Sequence, residues 1–334
     1  MATPSRAERT ALSDWSNMSP INEKVNALSY FETLCCDTAS ANVLINSSLM
    51  TLFVRMLRAS KAPALRVRLT SVMGLLLRHA TYVTEELAAS GVVAVLTECI
   101  KDANERVRRR AAATLGELLF YIATQQHEAA EARRRGASDE KASETSARAR
   151  DEKGTKKEGA ENDAARAAAA AAAAASAWKI PASTVGAVCR ALRAGEDEIA
   201  QHYAVKTIEN IVSHGGEWSA KFVREETLAS LVAIMTSARD EQLRGTAAST
   251  LARAARASPE LTRRVLEKYG VQLLVAGLQD PSVKAQQACL NLLIRGVGEL
   301  GARAVKDALA EHRGGGATPG SLGSAAAGPS AQHC

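Results

Sequence analysis

Aromatic side chains make up only 4% of this 334-residue sequence. Ala, Leu and Val are abundant instead, a mix that suits helices packed through small residues better than sheets. No uncharged run of about 18 large apolar residues occurs, so no membrane span is expected. The opening MATPSRAERTALSDW lacks the apolar core of a signal peptide. The six cysteines (Cys35, Cys36, Cys99, Cys189, Cys289 and Cys334) include no CxxC pair. Several fall at apolar helical positions, where free Cys behaves as a small hydrophobe. That pattern points to reduced thiols in a cytosolic protein. Charge of one sign is also lacking: the net +6 divides into excesses of +3, 0 and +3 over 1–126, 127–177 and 178–334. This is not the dense basic footprint of a nucleic-acid binder, so nucleic acid is not an expected partner.

Chemistry-bearing motifs are equally scarce. The six histidines are scattered, and HEAAE at 127–131 lacks the second His of a zinc-protease helix. No GxSxG, HRD or DFG occurs. GVGELG at 296–301 matches GxGxxG, but a dinucleotide loop needs a strand before it and a βαβ unit around it. A kinase glycine loop needs a whole catalytic domain after it, and only 33 residues follow. These glycines read as relaxed helix ends. No catalytic, cofactor-binding or metal-binding residue is assigned, and the chain is not expected to be an enzyme.

What the sequence does contain is repetition. Over 102–119, DANERVRRRAAATLGELL, a loop leads into a helix whose Val107, Ala111, Leu115, Leu118 and Leu119 share one face. Residues 243–251, LRGTAASTL, match 107–115, VRRRAAATL, at five of nine positions, and RVR at 66–68 precedes RVR at 106–108 by 40 residues. Laying Leu49 on Val92 also places Leu52 on Val95, Phe53 on Leu96 and Met56 on Cys99. An amphipathic helix pair returning about every 40 residues is the signature of a HEAT or armadillo array. The predicted fold is therefore all-α, an α-solenoid of about five to six such pairs with an inserted low-complexity linker. Neighbouring units would stack into an extended concave binding surface.

In order, residues 1–20 read as a flexible lead-in and 21–126 as a first repeat block. Helix signal begins near Asn22, with Val25, Leu28, Phe31 and Leu34 or Cys35 on one stripe. Residues 127–177 are rich in Ala, Glu, Arg, Lys and Ser with almost no large apolar side chains, too few to offset ordering entropy, and read as a linker. Nine alanines at 167–175 favour an isolated helix within it. Repeats resume over 178–312, where Gly270 and the residues after it echo the segment opened by Gly91. The Gly/Ser/Ala-rich 313–334 reads as a disordered tail.

Arg106, Arg108, Arg109 and Arg110 form the densest basic cluster in an ordered segment. Arg108, Arg68 and Arg244 follow a buried Val or Leu and are expected to pair with loop acids such as Asp102, making a ladder between repeats. Arg109 and Arg110 correspond to Gly245 and Thr246, so the fold is not expected to demand them. With Arg106, they are the candidate partner-binding residues, a stripe for an acidic protein surface.

Four phrases go beyond generic repeats: ALSYFETLCCDTASANVLINSSLM (27–50), LRVRLTSVMGLLLRHA (65–80), VRRRAAATLGELLFYIA (107–123) and AVKTIENIVSHGGEW (204–218). They resemble the C-terminal helical-repeat region of the RUNKEL and fourth Unc-51-like (Fused-type) serine/threonine kinase family, with the kinase domain absent. The resemblance implies a protein-binding scaffold linked to microtubules, to kinesin-like or other cytoskeletal partners, to cytokinesis or to cilia. It implies a cytoplasmic, cytoskeleton-associated location. Two alternatives stand beside it. One is the regulatory region of such a kinase or pseudokinase, split from its kinase domain. The other is an armadillo transport-receptor-like binder of basic peptides, which Trp15, Trp178 and Trp218, forming no regular ladder, do not favour.

Overall fold

The computed structural model describes residues 20–147 and 177–310, apart from 304, 308 and 309. Fourteen helices and no strand are found among them: α1 (Ile21–Leu34), α2 (Thr38–Ile45), α3 (Ser48–Ala59), α4 (Pro63–His79), α5 (Glu85–Ala89), α6 (Val92–Cys99), α7 (Glu105–Ala147), α8 (Ala182–Arg190), α9 (Glu198–Val212), α10 (Gly216–Phe222), α11 (Glu225–Ser237), α12 (Glu241–Ala257), α13 (Pro259–Gly277) and α14 (Val283–Leu300).

The unit is a triplet rather than a pair. A short helix leads to a middle helix and then to a long one: α2, α3 and α4, then α5, α6 and α7, then α10, α11 and α12. Triplets are the armadillo form of such arrays. α13 supplies two members at once, because Gly270 sits inside it at φ 75° and breaks its axis. Gly91, at φ 80°, makes the same left-handed turn before α6. The sequence echo between these two glycines thus reflects a shared backbone need.

The long helices stack side by side in the order α1, α4, α7, α9, α12, α14 and form the spine of the molecule. Their core faces are in register. Leu65, Leu69, Met73 and Leu76 of α4 are buried, as are Val107, Ala111, Leu115 and Leu118 of α7, 42 positions on. This register shows that the RVR pair, 40 residues apart, is out of phase; Arg66, not Arg68, is the counterpart of Arg108. The match of 107–115 to 243–251 is in phase, and so is that of Leu49 to Val92. In the stripe of α1, Leu28 and Cys35 are buried while Leu34 is exposed.

The long helices α4, α7, α9, α12 and α14 begin at Pro63, Glu105, Glu198, Glu241 and Val283, so successive starts lie 42, 93, 43 and 42 residues apart. The one long step holds the insertion, yet the stack does not stop there. Thr97 and Thr184 share a buried hydrogen bond of 2.9 Å between α6 and α8. Trp218 Nε1 donates to Gln126 at 2.7 Å, and Thr124 lies 3.2 Å from His214 Nε2. Trp178 is buried at the point where the repeats resume.

The start of the insertion differs from the sequence reading. No linker begins at 127: α7 runs on to Ala147. The Ala, Glu, Arg and Lys that disfavour burial are the strongest helix formers, and a helix already nucleated by packing up to Ala123 and Ala129 propagates cheaply through them. Pairs such as Arg134–Glu131 support it. The lead-in up to 19, the alanine run at 167–175 and the tail at 313–334 lie outside the described residues. We expect replacement of 136–176 by a Gly/Ser linker of about twelve residues, with a root-mean-square reach of roughly 20 Å, to leave the thermal midpoint within about 2 °C. Circular dichroism melts check this, and a larger drop would mean that the insertion packs on the stack.

Candidate functional site

Three of the long helices, α4, α7 and α12, carry an arginine in their first turns that reaches the loop before the next long helix. Arg66 pairs with Asp102, Arg109 with Asp197, and Arg244 Nε with Asp280 Oδ2 at 2.7 Å. The three aspartates are also turn or cap residues. Asp102 accepts from Asn104 N at 2.7 Å, Asp197 from Ala200 N at 2.8 Å and Asp280 from Ser282 N at 2.8 Å. Hydrogen bonding from Arg244 holds the Asp280 carboxyl below its usual range against the effect of burial. The expected ladder thus exists with partly different members. Arg244 takes a loop acid, Arg68 reaches back to Glu32, and Arg108 donates to the carbonyls of Asp102 and Ala103, both at 2.9 Å.

This placement corrects one premise about the candidate arginines. Arg109 is demanded by the fold. Its Nε donates to Asp197 Oδ2 at 2.8 Å and its Nη2 to Asp197 Oδ1 at 2.6 Å, a two-pronged clamp between α7 and α9. Its counterpart Gly245 hides this role because Asp280 is already held by Arg244 in that unit. Arg106 and Arg110 are exposed, one turn apart on α7, and make no ion pair among the described residues.

A second basic surface, not singled out from sequence, lies further along the spine. α12 and α14 enclose an open cleft of about 440 Å³, lined by Arg253 and Arg256 from one side and Lys284 and Arg295 from the other, with the amides of Gln287 and Asn291 between. The residues recur at three- and four-residue steps, so each set shares one helix face. Small Ser249, Ala252 and Ala288 keep the floor low, and no acidic side chain lines the cleft.

Beneath one end sits Glu209 of α9, whose side chain is 1% exposed. It accepts from Ser249 Oγ at 2.6 Å, Lys206 Nζ at 2.7 Å and Lys284 Nζ at 2.9 Å, with Arg253 Nε at 3.6 Å. Burial alone would raise its pKa; the hydrogen bonds from Lys206, Ser249 and Lys284, with the Lys284 charge, override it and bring the value down to about 2. One buried carboxylate therefore ties α9, α12 and α14 together and fixes two of the cleft's cations. In the 42- to 43-residue register, with the insertion spanned by a 93-residue step, Glu209 occupies the column of Gly74, Gly116 and Ala252. Ile294 continues the column, so an acid among uncharged residues was the available signal.

GVGELG at 296–301 lies at the end of α14, with Gly296 and Gly298 inside the helix and Gly301 at φ 84° just beyond it. It forms a helix terminus rather than a phosphate loop. Among the described residues, no group of three or more His, Cys, Asp or Glu comes together to hold a metal, and no single helix is long and apolar enough to cross a membrane.

No family model matches the chain. Among curated proteins it is 36% identical over 276 residues to the serine/threonine-protein kinase RUNKEL of Arabidopsis thaliana. That alignment covers 82% of this chain and 18% of RUNKEL. It is 25% identical over 274 residues to the serine/threonine-protein kinase ULK4 of Mus musculus, covering 81% and 18%. The chain thus spans about a fifth of the length of the curated relatives it matches. Among solved structures, an engineered protein superposes with a TM-score of 0.58 at 15% identity, covering 89% of this chain and 96% of that one. A designed armadillo repeat protein superposes at 0.57 and 16% identity, covering 85% and 98%. A further designed armadillo repeat protein, in complex with the peptide (KR)4, gives 0.58 at 16% identity over 85% and 98%. The all-α armadillo-like solenoid is therefore the fold of this chain.

Proposed function

Because this chain is homologous over four-fifths of its length to a segment of RUNKEL and ULK4, we propose that it acts as a non-catalytic scaffold whose stacked long helices hold a protein partner. The observation that carries this reading is the cleft between α12 and α14, where four cations and two amides converge with no acid among them. Such a surface raises the encounter rate with an acidic partner and makes association salt-dependent. More specifically, the partner is a microtubule or a kinesin-like or other cytoskeletal protein. The chain then works in cytokinesis or at cilia, cytoplasmic and attached to the cytoskeleton. Arg106 and Arg110 of α7 add a second contact; Arg109 contributes only by keeping α7 docked on α9.

The test is microtubule co-sedimentation of the purified chain across a salt series, beside an Arg106→Glu/Arg110→Glu variant. Pelleting at 50 mM salt that fades several-fold by 200 mM, and falls in the variant, is the expected result. Pelleting that the variant leaves unchanged removes those two arginines from the interface. No pelleting at low salt ends direct microtubule binding. A second reading, that these repeats regulate a Fused-type serine/threonine kinase or pseudokinase, is favoured by both relatives being kinases. It predicts that the chain, added in trans, changes the phosphorylation rate of a relative's kinase domain. The transport-receptor-like reading fits less well: a solved neighbour holds a (KR)4 peptide, whereas the cations of this cleft repel Lys and Arg.

A further inference from the structure

We propose that the cleft between α12 and α14 is the docking site for an extended, carboxylate-rich segment of a protein partner. The proposal deepens the scaffold reading and rests on it. Three observations carry it.

The first is charge. Arg253, Arg256, Lys284 and Arg295 face one open volume, and the acid that touches their set, Glu209, is buried and already shared among Lys206, Lys284 and Arg253. Arg256 and Arg295 make no ion pair among the described residues, so their guanidinium groups remain available for two-pronged carboxylate contacts. Lys284 and Arg253 are held in place by Glu209, which lowers the ordering cost on binding.

The second is spacing. Gln287 and Asn291 are both exposed on α14 and four residues apart, a separation of about 6 Å along a helix axis. Alternate residues of an extended chain lie about 6.6 Å apart. Each amide carries a donor and an acceptor, so the two can pair with the backbone of residues i and i+2 of an extended peptide. Ile294, 62% exposed at the rim, offers one apolar contact.

The third is what the lining omits. No aromatic side chain faces the cleft. Single-stranded nucleic acid, the other polyanion, draws much of its affinity from base stacking on such rings, so the observations favour a polypeptide.

The test is fluorescence anisotropy on the full chain at 50 mM NaCl, using a fluorescein-labelled peptide of three Asp-Glu-Ile-Gly repeats. Its Lys-for-acid counterpart and a labelled twelve-nucleotide uridine RNA serve as comparators. The expected result is saturable binding of the acidic peptide alone, weakened at least tenfold by Arg256→Glu/Arg295→Glu and unchanged by Arg55→Glu/Lys61→Glu, an equal charge change at exposed positions outside the cleft. Thermal melts establish that both variants fold. Equal binding by the two variants, preference for the Lys peptide or the RNA, or no binding of the acidic peptide would overturn the proposal. The two readings fail separately. Microtubule pelleting without acidic-peptide binding removes the cleft and keeps the cytoskeletal scaffold; peptide binding without pelleting does the reverse.

Discussion

Replacing Glu209 with Gln is expected to lower the unfolding free energy by about 3 kcal/mol at pH 7, a loss that disappears toward pH 2. The size follows from linkage. The carboxyl titrates at about 2 in the folded chain against an ordinary 4.5, and each unit of that difference is worth roughly 1.4 kcal/mol. Because the folded value is depressed, the stabilisation is complete above pH 4.5 and drains away as pH falls from 4.5 to about 2. Gln stands in for the protonated acid: it has the same shape and can still accept from Ser249, but it offers no charge to Lys206 or Lys284. Those two lysine side chains are 49% and 42% exposed, so their ammonium groups regain water when the carboxylate is lost, and the effect stays at the lower end of what breaking a buried pair costs. Urea unfolding of both chains from pH 7 to pH 2.5 checks this. A gap that does not narrow with acid would assign the loss to packing and not to charge.

Glu209 also marks where sequence reading runs out. The helices, their buried faces and the repeat were legible because each follows from local periodicity: Leu115 and Leu118 fall on one face of α7 whatever else the chain does. The continuation of α7 past 126 is legible in principle, since its residues are good helix formers, but a segment that cannot pack reads from composition alone as one that cannot order. Partnerships between units were not legible. Arg109 finds Asp197 across 88 positions because the stack closes over the insertion, and nothing local to either residue announces it. RVR at 66–68 and 106–108 shows the converse, an exact local match two residues out of the structural register. The cleft of Arg253, Arg256, Lys284 and Arg295 is sparse in sequence and becomes dense only when α12 lies against α14. Arginines clustered in sequence at 106–110 instead disperse around a helix, one to a clamp, one to backbone carbonyls and two to solvent.

The same stacking makes Gly116 the most sensitive small residue of the spine. A Gly116→Val chain is expected to lose more than about 3 kcal/mol and to melt in two steps instead of one. A Cβ built at Gly116 of α7 would lie 2.4 Å from Thr207 Oγ1 on α9, a distance no unstrained contact allows. Thr207 cannot readily yield, because its hydroxyl donates to Tyr203 O at 2.7 Å and turning it aside forfeits that bond. Overpacking of this kind costs about 1–3 kcal/mol for a modest insertion, and more for a branched one. α7 against α9 is the contact that joins the long helices on the two sides of the insertion, and in a repeat array each unit is stabilised by its neighbour. Prying that interface apart therefore uncouples the halves. Gly116→Ala separates the terms: helix propensity favours Ala by about 1 kcal/mol, so a net loss measures the clash, and adding Thr207→Ala should recover at least about 1 kcal/mol through their coupling. Gly186 of α8 is the control. Nothing lies within 4 Å of its added Cβ, so Gly186→Ala should raise stability by up to about 1 kcal/mol. Were Gly116→Ala to stabilise as Gly186→Ala does, α7 and α9 would not be in the close contact that makes the two repeat blocks one stack.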